Sequence, residues 1–227
     1  MPWLHPSGGL VYHLRAWRYG GTHWSAFHDR VHGWLSGWRP PESHLVLVGP
    51  SGGYALEGAF LQRFGQVTVL EPDPLARSIL TRRFPRIPFR FAADPGLARA
   101  DGFERLARCH PDAAFLFCNL LGQPLVGQGP DFQRQSWLSG LASALAECSW
   151  ASWHDLASTQ RQPDALSHLG MDGAEPLEKV LNRYWQGGEL TIHDHECAGL
   201  APDAPREYAL WELRPGQYHL VEWLAFT

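Results

Sequence analysis

The sequence lacks several features that would place it in common functional classes. It has only four cysteines, and none stands in a C-x-x-C pair, so neither a zinc knuckle nor a disulfide framework is indicated. No apolar run approaches the roughly 20 residues that cross a bilayer, and a net charge of −4 gives no reason to expect binding to nucleic acid or to an anionic membrane. The first residues, MPWLHPSGGLVYHLR, lack the basic region and apolar core of a signal peptide. These absences favour a cytoplasmic protein with reduced thiols.

Strand-like and helix-like segments alternate through the middle of the chain. Five apolar runs predict β-strands, and a helical pattern follows each of the first four; the runs are residues 45–48, 66–70, 87–92, 112–118 and 150–154. This alternation predicts a parallel sheet with helices on both faces, which is a doubly wound α/β architecture. A helical pattern over residues 22–38 precedes the first strand.

The carboxyl-terminal part of the chain has a different pattern. A helix opens at Pro176, and three strand candidates follow with little room for helices between them, at residues 189–195, 207–213 and 217–226. Because Arg214-Pro215-Gly216 is a short turn, the last two strands should form an antiparallel hairpin. We predict one domain with a seven-stranded sheet, divided into a helical cap (1–43), a core (44–156) and a tail of helix and antiparallel strands (157–227).

The first strand stops at the sequence GPSGGY, residues 49–54, where glycine is dense. Open α/β sheets bind ligands beyond the carboxyl ends of their strands. Glycines there let a ligand approach the backbone, and a helix beginning near Tyr54 would offer its free N–H groups. Glu71 ends the second strand, 22 residues after Gly49. A carboxylate at this position suits the hydroxyls of a ribose and does not suit a 2′-phosphate.

Two phosphate-binding patterns are absent from this turn. The glycine positions of the dinucleotide fingerprint G-x-G-x-x-G read Gly, Ser and Tyr from Gly49 onward, and no Gly-Lys-Ser/Thr follows as in a Walker loop. The turn and Glu71 together therefore predict a ligand that carries an adenosine but need not carry phosphates.

Four stretches of the sequence resemble the class I S-adenosylmethionine-dependent methyltransferases, namely LVLVGPSGGY, VTVLEPD, RFAADPG and FLFCNLLGQP. The stretches FCNLLGQPL and WASWHDLAS are also similar to an uncharacterised bacterial group of methyltransferase-like proteins. The resemblance covers roughly residues 44–156, and the antiparallel finish agrees with it. It implies a Rossmann-like sheet, S-adenosylmethionine as the cofactor and a small molecule as the substrate.

The resemblance also implies roles for individual residues. Gly49, Ser51 and Gly53 would line the methionine and ribose side of the cofactor. Glu71 would bind the ribose hydroxyls, and Asp94 would face the adenine amino group. These five residues form the predicted cofactor site.

Candidates for catalysis lie at the ends of the fourth and fifth strands. The resemblance places Asn119 near the sulfonium and the substrate. His154 and Asp155 end the fifth strand, and a histidine beside an acid can serve as a general base, although adjacent strand residues point to opposite faces. An aromatic lid over the pocket is predicted from the amino-terminal region, with Tyr12, His13, Trp17 and His23.

Departures from the family pattern leave two alternatives open. The position before the turn, often acidic in the family, is Leu47 or Val48, and Ser51 replaces the middle glycine. Leu-Leu-Gly follows Asn119 instead of the Pro-Pro-aromatic of amino-methylating enzymes. One alternative is a non-catalytic partner protein that keeps the sheet. The other is an aminopropyl- or carboxypropyl-transferring enzyme, for which Asp131 is the acidic candidate.

His193 and His195 form an H-x-H pair near the third strand candidate of the tail. Such a pair can chelate a transition metal, but a third ligand is needed and none can be named from the sequence. We interpret the two histidines as polar residues at the exposed end of an edge strand, and we predict no metal site.

Overall fold

A mixed sheet organises the part of the chain that the computed structural model describes, which is residues 9–99, 101–121, 134–166, 168–193 and 199–227. Nine strands are found in these ranges: β1 His44–Val48, β2 Gln66–Leu70, β3 Phe89–Ala92, β4 Ala113–Cys118, β5 Trp150–Thr159, β6 Leu169–Met171, β7 Thr191–Ile192, β8 Arg206–Arg214 and β9 Gln217–Phe226. The helices of the same ranges are α1 Gly9–Tyr19, α2 Ser25–Gly37, α3 Gly58–Leu61, α4 Pro74–Arg83, α5 Gly102–Cys109, α6 Arg134–Leu145 and α7 Leu177–Leu181.

The strand order is β3-β2-β1-β4-β5-β9-β8-β6, with β7 paired to β5 at its far end. The first five strands of this order are parallel, and β9 is antiparallel to both β5 and β8. The prediction of a doubly wound α/β sheet with an antiparallel carboxyl-terminal hairpin is confirmed. The sheet has nine strands instead of the predicted seven. β6, with three residues, was not predicted because it is too short to show a periodic pattern in the sequence. β7 keeps only Thr191 and Ile192 of the strand candidate 189–195.

Both faces of the sheet are covered, which explains why its central strands read as continuous apolar runs. On one side, Leu45 and Leu47 of β1 lie in a cluster with Phe27 and Leu35 of α2. We call this side the cap face. On the opposite face, Val46 lies in a second cluster with residues of α5 and α6. The predicted amino-terminal helix over 22–38 is thereby confirmed as α2, packed on the sheet.

The segment after the glycine turn differs from its predicted form. The helix expected to begin near Tyr54 is the four-residue α3, which begins only at Gly58. Leu56, Phe60 and Phe64 are buried as the apolar pattern requires, but Leu56 lies before α3 and Phe64 after it. The prediction that a helix N-terminus directly follows the turn is therefore wrong, because the apolar spacing reflected burial and not a continuous helix.

A buried ionic network ties the hairpin to β5 on the opposite face. Arg206 Nη1 donates to Glu222 Oε1 at 3.1 Å, and the Tyr208 hydroxyl donates to the same oxygen at 3.0 Å. His154 Nε2 lies 3.0 Å from Glu222 Oε2, and Ser152 Oγ lies 3.2 Å from His154 Nδ1. Burial alone would raise the pKa of Glu222, but the hydrogen bonds and charges of its partners outweigh it and hold this pKa below its ordinary value.

We expect replacement of Glu222 to change how stability depends on pH. A carboxylate with a lowered pKa in the folded state stabilises the protein above its unfolded pKa of about 4.3, and this contribution is lost as the pH falls through the folded value. Glu222→Ala should cost about 3–5 kcal/mol at neutral pH, since it leaves Arg206 buried without its carboxylate. Urea denaturation should be measured from about pH 3 to about pH 7, a range that spans the unfolded pKa. The free energy of unfolding should fall less steeply at acid pH in Glu222→Gln than in the wild type.

The control is Glu207→Gln on the same hairpin. Glu207 pairs with His168 at 2.7 Å, and its side chain is 39% exposed, so its loss should change stability by less than about 1 kcal/mol. An equal response of both variants would show that the buried network does not set the acid limb.

Candidate active site

The loops after β1, β2 and β4 begin at one edge of the sheet, where β1 lies between β2 and β4. This is the point at which strand order reverses in a doubly wound sheet, and it is where ligands bind. The turn 49–53, Glu71 and Asn119 all follow directly on these strands. Asp155 lies within β5, two residues beyond the last residue that pairs with β4.

The glycine turn has an alternating backbone. Gly49, Ser51 and Gly53 have φ angles of +65°, +51° and +67°, in the left-handed region that glycine adopts freely and other residues rarely do. The Gly53 N–H donates to the Pro50 carbonyl at 2.9 Å and closes the turn. Two of the three glycines are thus required by the backbone itself.

Side chains of this protein lie directly against the turn. A Cβ atom at Gly49 would stand 1.9 Å from the Cδ1 atom of Leu120, and one at Gly53 would stand 2.5 Å from the Cδ1 atom of Leu80. At Gly52 the ring of Tyr54 comes within 2.8 Å of the same point. The close approach that the glycines predicted is therefore made, in this structure, by residues of the chain.

Glu71 joins the end of β2 to the glycine turn. Its Oε2 accepts the Ser51 N–H at 2.9 Å, its Oε1 accepts the Asp73 N–H at 3.0 Å, and only 8% of the residue is exposed. Burial raises the pKa of Glu71, and the two N–H bonds offset part of this effect. Since an ionised carboxylate offers about four acceptor sites, Glu71 retains capacity for two further donors.

A second polar cluster lies between the ends of β4 and β5. Asn119, with a φ of +56°, accepts the Asp155 N–H through Oδ1 at 3.0 Å and donates from Nδ2 to Asp155 Oδ2 at 3.4 Å. The same Asp155 oxygen lies 3.0 Å from His219 Nδ1. Two of the predicted catalytic residues, Asn119 and Asp155, are thus in contact, and His219 of β9 contacts Asp155 as well.

The structure separates His154 from Asp155. His154 is fully buried on the opposite face, in the network with Glu222, whereas Asp155 lies on the cap face. His219 could not be found from the sequence, because its place beside Asp155 depends on the pairing of β9 with β5. The one signal available in the sequence is the position of His219 near the start of the last strand.

The predicted lid residues divide between two places. Tyr12 packs edge-on against Tyr54, with ring centroids 5.7 Å apart, and His13 Nδ1 lies 2.8 Å from the Tyr54 hydroxyl. Trp17 is 85% exposed. His23 lines a cavity of about 160 Å³ between α2 and the β8–β9 hairpin and lies 2.8 Å from Glu212 Oε2. Tyr12 and His13 are thus the two predicted lid residues that contact Tyr54, whose ring lies against Gly52.

The remaining predicted residues lie at the margins of the site. Asp94 is exposed, and its Oδ1 accepts the N–H groups of Gly96 and Leu97 at 2.9 Å each, which orders the loop after β3. Asp131 and His195 lie outside the described residues. His193 Nε2 lies 2.8 Å from Ser158 Oγ.

Comparison with known proteins gives structural similarities. No protein-family model matches the chain, and no curated protein matches it. The chain is similar to the N-methyltransferase NodS from Bradyrhizobium japonicum WM9 in complex with S-adenosyl-L-homocysteine, at 10% identity over 90% of this chain and 87% of that chain, with a TM-score of 0.45.

It is also similar to magnesium protoporphyrin IX methyltransferase (ChlM) from Synechocystis PCC 6803 with bound SAH, at 14% identity over 90% of this chain and 84% of that one, with a TM-score of 0.45. A DhpI–SAH complex has 14% identity over 93% of this chain and 92% of that chain, with a TM-score of 0.41.

Within the described ranges, no helix combines the length and apolar character needed to cross a bilayer.

Ser51 allows a direct test of the strain in the turn. A left-handed backbone costs a non-glycine residue about 1–2 kcal/mol, and glycine costs about 0.5–1 kcal/mol in chain entropy. Ser51→Gly should therefore raise the free energy of unfolding by up to about 1 kcal/mol, measured by urea denaturation. The same replacement at the exposed Ser136 inside α6 should lower it by about 0.5 kcal/mol. A lower free energy of unfolding in Ser51→Gly would contradict backbone strain at Ser51.

Proposed function

We propose that this protein is an S-adenosylmethionine-dependent methyltransferase that acts on a small molecule. The observation that carries the proposal is the Glu71 carboxylate at the end of β2, held by the Ser51 N–H against the glycine turn at the point where strand order reverses. When bound, S-adenosylmethionine supplies a methyl group already activated by a sulfonium. The protein then has mainly to position the acceptor and to exclude water.

The residues fit the ribose part of this cofactor. Glu71 is ionisable, buried and ordered by two backbone N–H groups, and its remaining acceptor sites suit two hydroxyl donors. Gly49 and Gly53 add no side chain to the turn at these two positions. Asp94 remains our candidate for the adenine amino group, at the end of β3 in a loop that its own Oδ1 orders.

Access of the methionine part of the cofactor to the turn depends on the position of the Leu120 side chain. Its side chain lies on Gly49, on the methionine side of the predicted cofactor site. We infer that this side chain rotates away when the cofactor enters. The apparent affinity is then reduced by the fraction of molecules in which Leu120 covers the turn.

Binding of S-adenosylmethionine should depend on Glu71. Each hydrogen bond from a ribose hydroxyl to a charged carboxylate contributes about 1.5–3 kcal/mol. Isothermal titration with S-adenosylmethionine should therefore show a loss of about 10- to 100-fold or more in affinity for Glu71→Ala. Glu104→Ala, which removes an exposed carboxylate from α5, is the matched control. Thermal melts of each variant establish that it is folded.

Equal affinity for S-adenosylmethionine in the wild type and in Glu71→Ala would overturn the proposal. So would the absence of binding by both the wild type and Leu120→Ala. Analysis of the product separates the reaction types. S-adenosylhomocysteine indicates methyl transfer, and methylthioadenosine indicates the aminopropyl-type alternative.

Removal of the Leu120 side chain should strengthen binding. Leu120→Ala exposes Gly49 without a rearrangement, so we expect affinity for S-adenosylmethionine to rise by about fivefold or more. Leu138→Ala, at a partly buried leucine of α6 on the opposite face, is the control and should leave affinity unchanged. Equal affinity in all three proteins would show that Leu120 does not limit access.

A non-catalytic partner protein is the second candidate. The observation that favours it is the contact of Leu120, Tyr54 and Leu80 with the three positions of the turn, since a turn filled by the chain itself needs no ligand to explain its glycines. Failure of both the wild type and Leu120→Ala to bind S-adenosylmethionine would favour this candidate.

A further inference from the structure

His219 carries a buried nitrogen without a hydrogen-bond partner. The residue is 9% exposed, its Nδ1 lies 3.0 Å from Asp155 Oδ2, and among the described residues its Nε2 has no hydrogen-bond partner and almost no contact with solvent. A buried polar atom left without a hydrogen bond destabilises the folded protein. Such an atom is a candidate for contact with a ligand.

The pairing of His219 with Asp155 depends on a β-bulge. The register of β5 and β9 shifts between Asp155 and Ala157, so Asp155 pairs with Val221 and Ser158 pairs with His219. Asp155 and Ser158 therefore share the cap face with His219, although they are three residues apart. Bulges re-aim side chains, and they are frequent beside active sites.

Asp155 is itself held from two sides. Asn119 accepts its backbone N–H and donates to its Oδ2, and this fixes the carboxylate that faces the Nδ1 atom of His219. A carboxylate at Nδ1 favours the tautomer that has its proton on Nδ1, which leaves a lone pair on Nε2. This is the arrangement in which a histidine can accept a proton from another molecule.

The surroundings of His219 are aromatic and hold few charges. The His193 ring stacks on His219 with centroids 6.3 Å apart, and the Trp211 ring lies at 6.2 Å. Burial lowers the pKa of His193, which keeps this neighbour neutral near pH 7. Burial, with the negative charge of Asp155, raises the pKa of Tyr12, so its phenol also stays neutral. Asp155 is thus the carboxylate in contact with the ring.

We propose that His219 is the general base of the reaction, that Asp155 is its positioning residue, and that the acceptor presents a hydroxyl or an amine. In that step the acceptor's proton moves to Nε2, a bond forms between the acceptor atom and the methyl carbon, and the carbon–sulfur bond breaks with its electron pair kept by sulfur. This inference rests on the proposed function. The acceptor reaches Nε2 by displacing the side chains that cover it on the cap face.

The tautomer of His219 tests the proposal without an acceptor. Nitrogen-15 NMR of the imidazoles in the full chain, assigned with His219→Gln, should show the neutral ring of His219 with its proton on Nδ1. In Asp155→Asn the side-chain amide can donate to Nδ1, so the proton should move to Nε2. A wild-type ring protonated on Nε2 would overturn the proposal.

Methyl transfer supplies the second readout. Transfer from labelled S-adenosylmethionine is measured to a panel of small phenols, alcohols and amines. His219→Gln should lower kcat/KM by about 10²- to 10⁴-fold and remove the acid limb of its pH profile. Asp155→Asn should lower kcat with little change in cofactor affinity. His110→Gln, after α5 and away from the site, is the control and should leave transfer unchanged.

A His219→Gln rate within about threefold of the wild type would overturn the assignment, because general-base catalysis contributes at least about 10²-fold. Titration of each variant with S-adenosylmethionine keeps the two proposals apart. Failure of both the wild type and Leu120→Ala to bind contradicts the proposed function. Intact binding with an unchanged rate contradicts only the role of His219.

Discussion

The pairing of β5 with β9 is the interaction on which the rest of the structure depends. It inserts the last strand between β5 and β8, so the parallel half and the antiparallel hairpin form one continuous sheet. Nine residue pairs join the two strands. The same pairing places Glu222 opposite His154 on one face and His219 beside Asp155 on the other. The same strand pair therefore carries the buried ionic network on one face and the proposed proton-transfer pair on the other.

Each face of the sheet holds a histidine beside a carboxylate, but the hydrogen bonding of the two pairs differs. On the opposite face, Glu222 receives hydrogen bonds from Arg206 and Tyr208 and lies beside His154, so its charge is compensated within the protein. On the cap face, Asp155 orders His219 and leaves Nε2 without a partner among the described residues. A compensated network stabilises a fold, whereas an ordered ring with an open nitrogen suits proton transfer.

The strands could be predicted from the sequence because buried parallel strands are continuous apolar runs. β2 and β9 match their predicted bounds to the residue, and the hairpin follows from Pro215-Gly216. The glycine turn and Glu71 could be found because they are local and their spacing is fixed by one βαβ unit. The short α3 and the role of His219 could not be found, because the first depends on side-chain packing and the second on a bulge between strands distant in the chain.

The bulge in β5 also has a consequence for folding. Asp155 and His219 are separated by 64 residues, so their contact forms only after a long loop has closed, and contacts of high sequence separation form late and slowly. β1 and β2 pair over a much shorter separation, for example His44 with Gln66, so these two strands can assemble earlier. Asp155 and His219, the proposed proton-transfer pair, would thus come together after β1 and β2 have placed Glu71 beside the glycine turn.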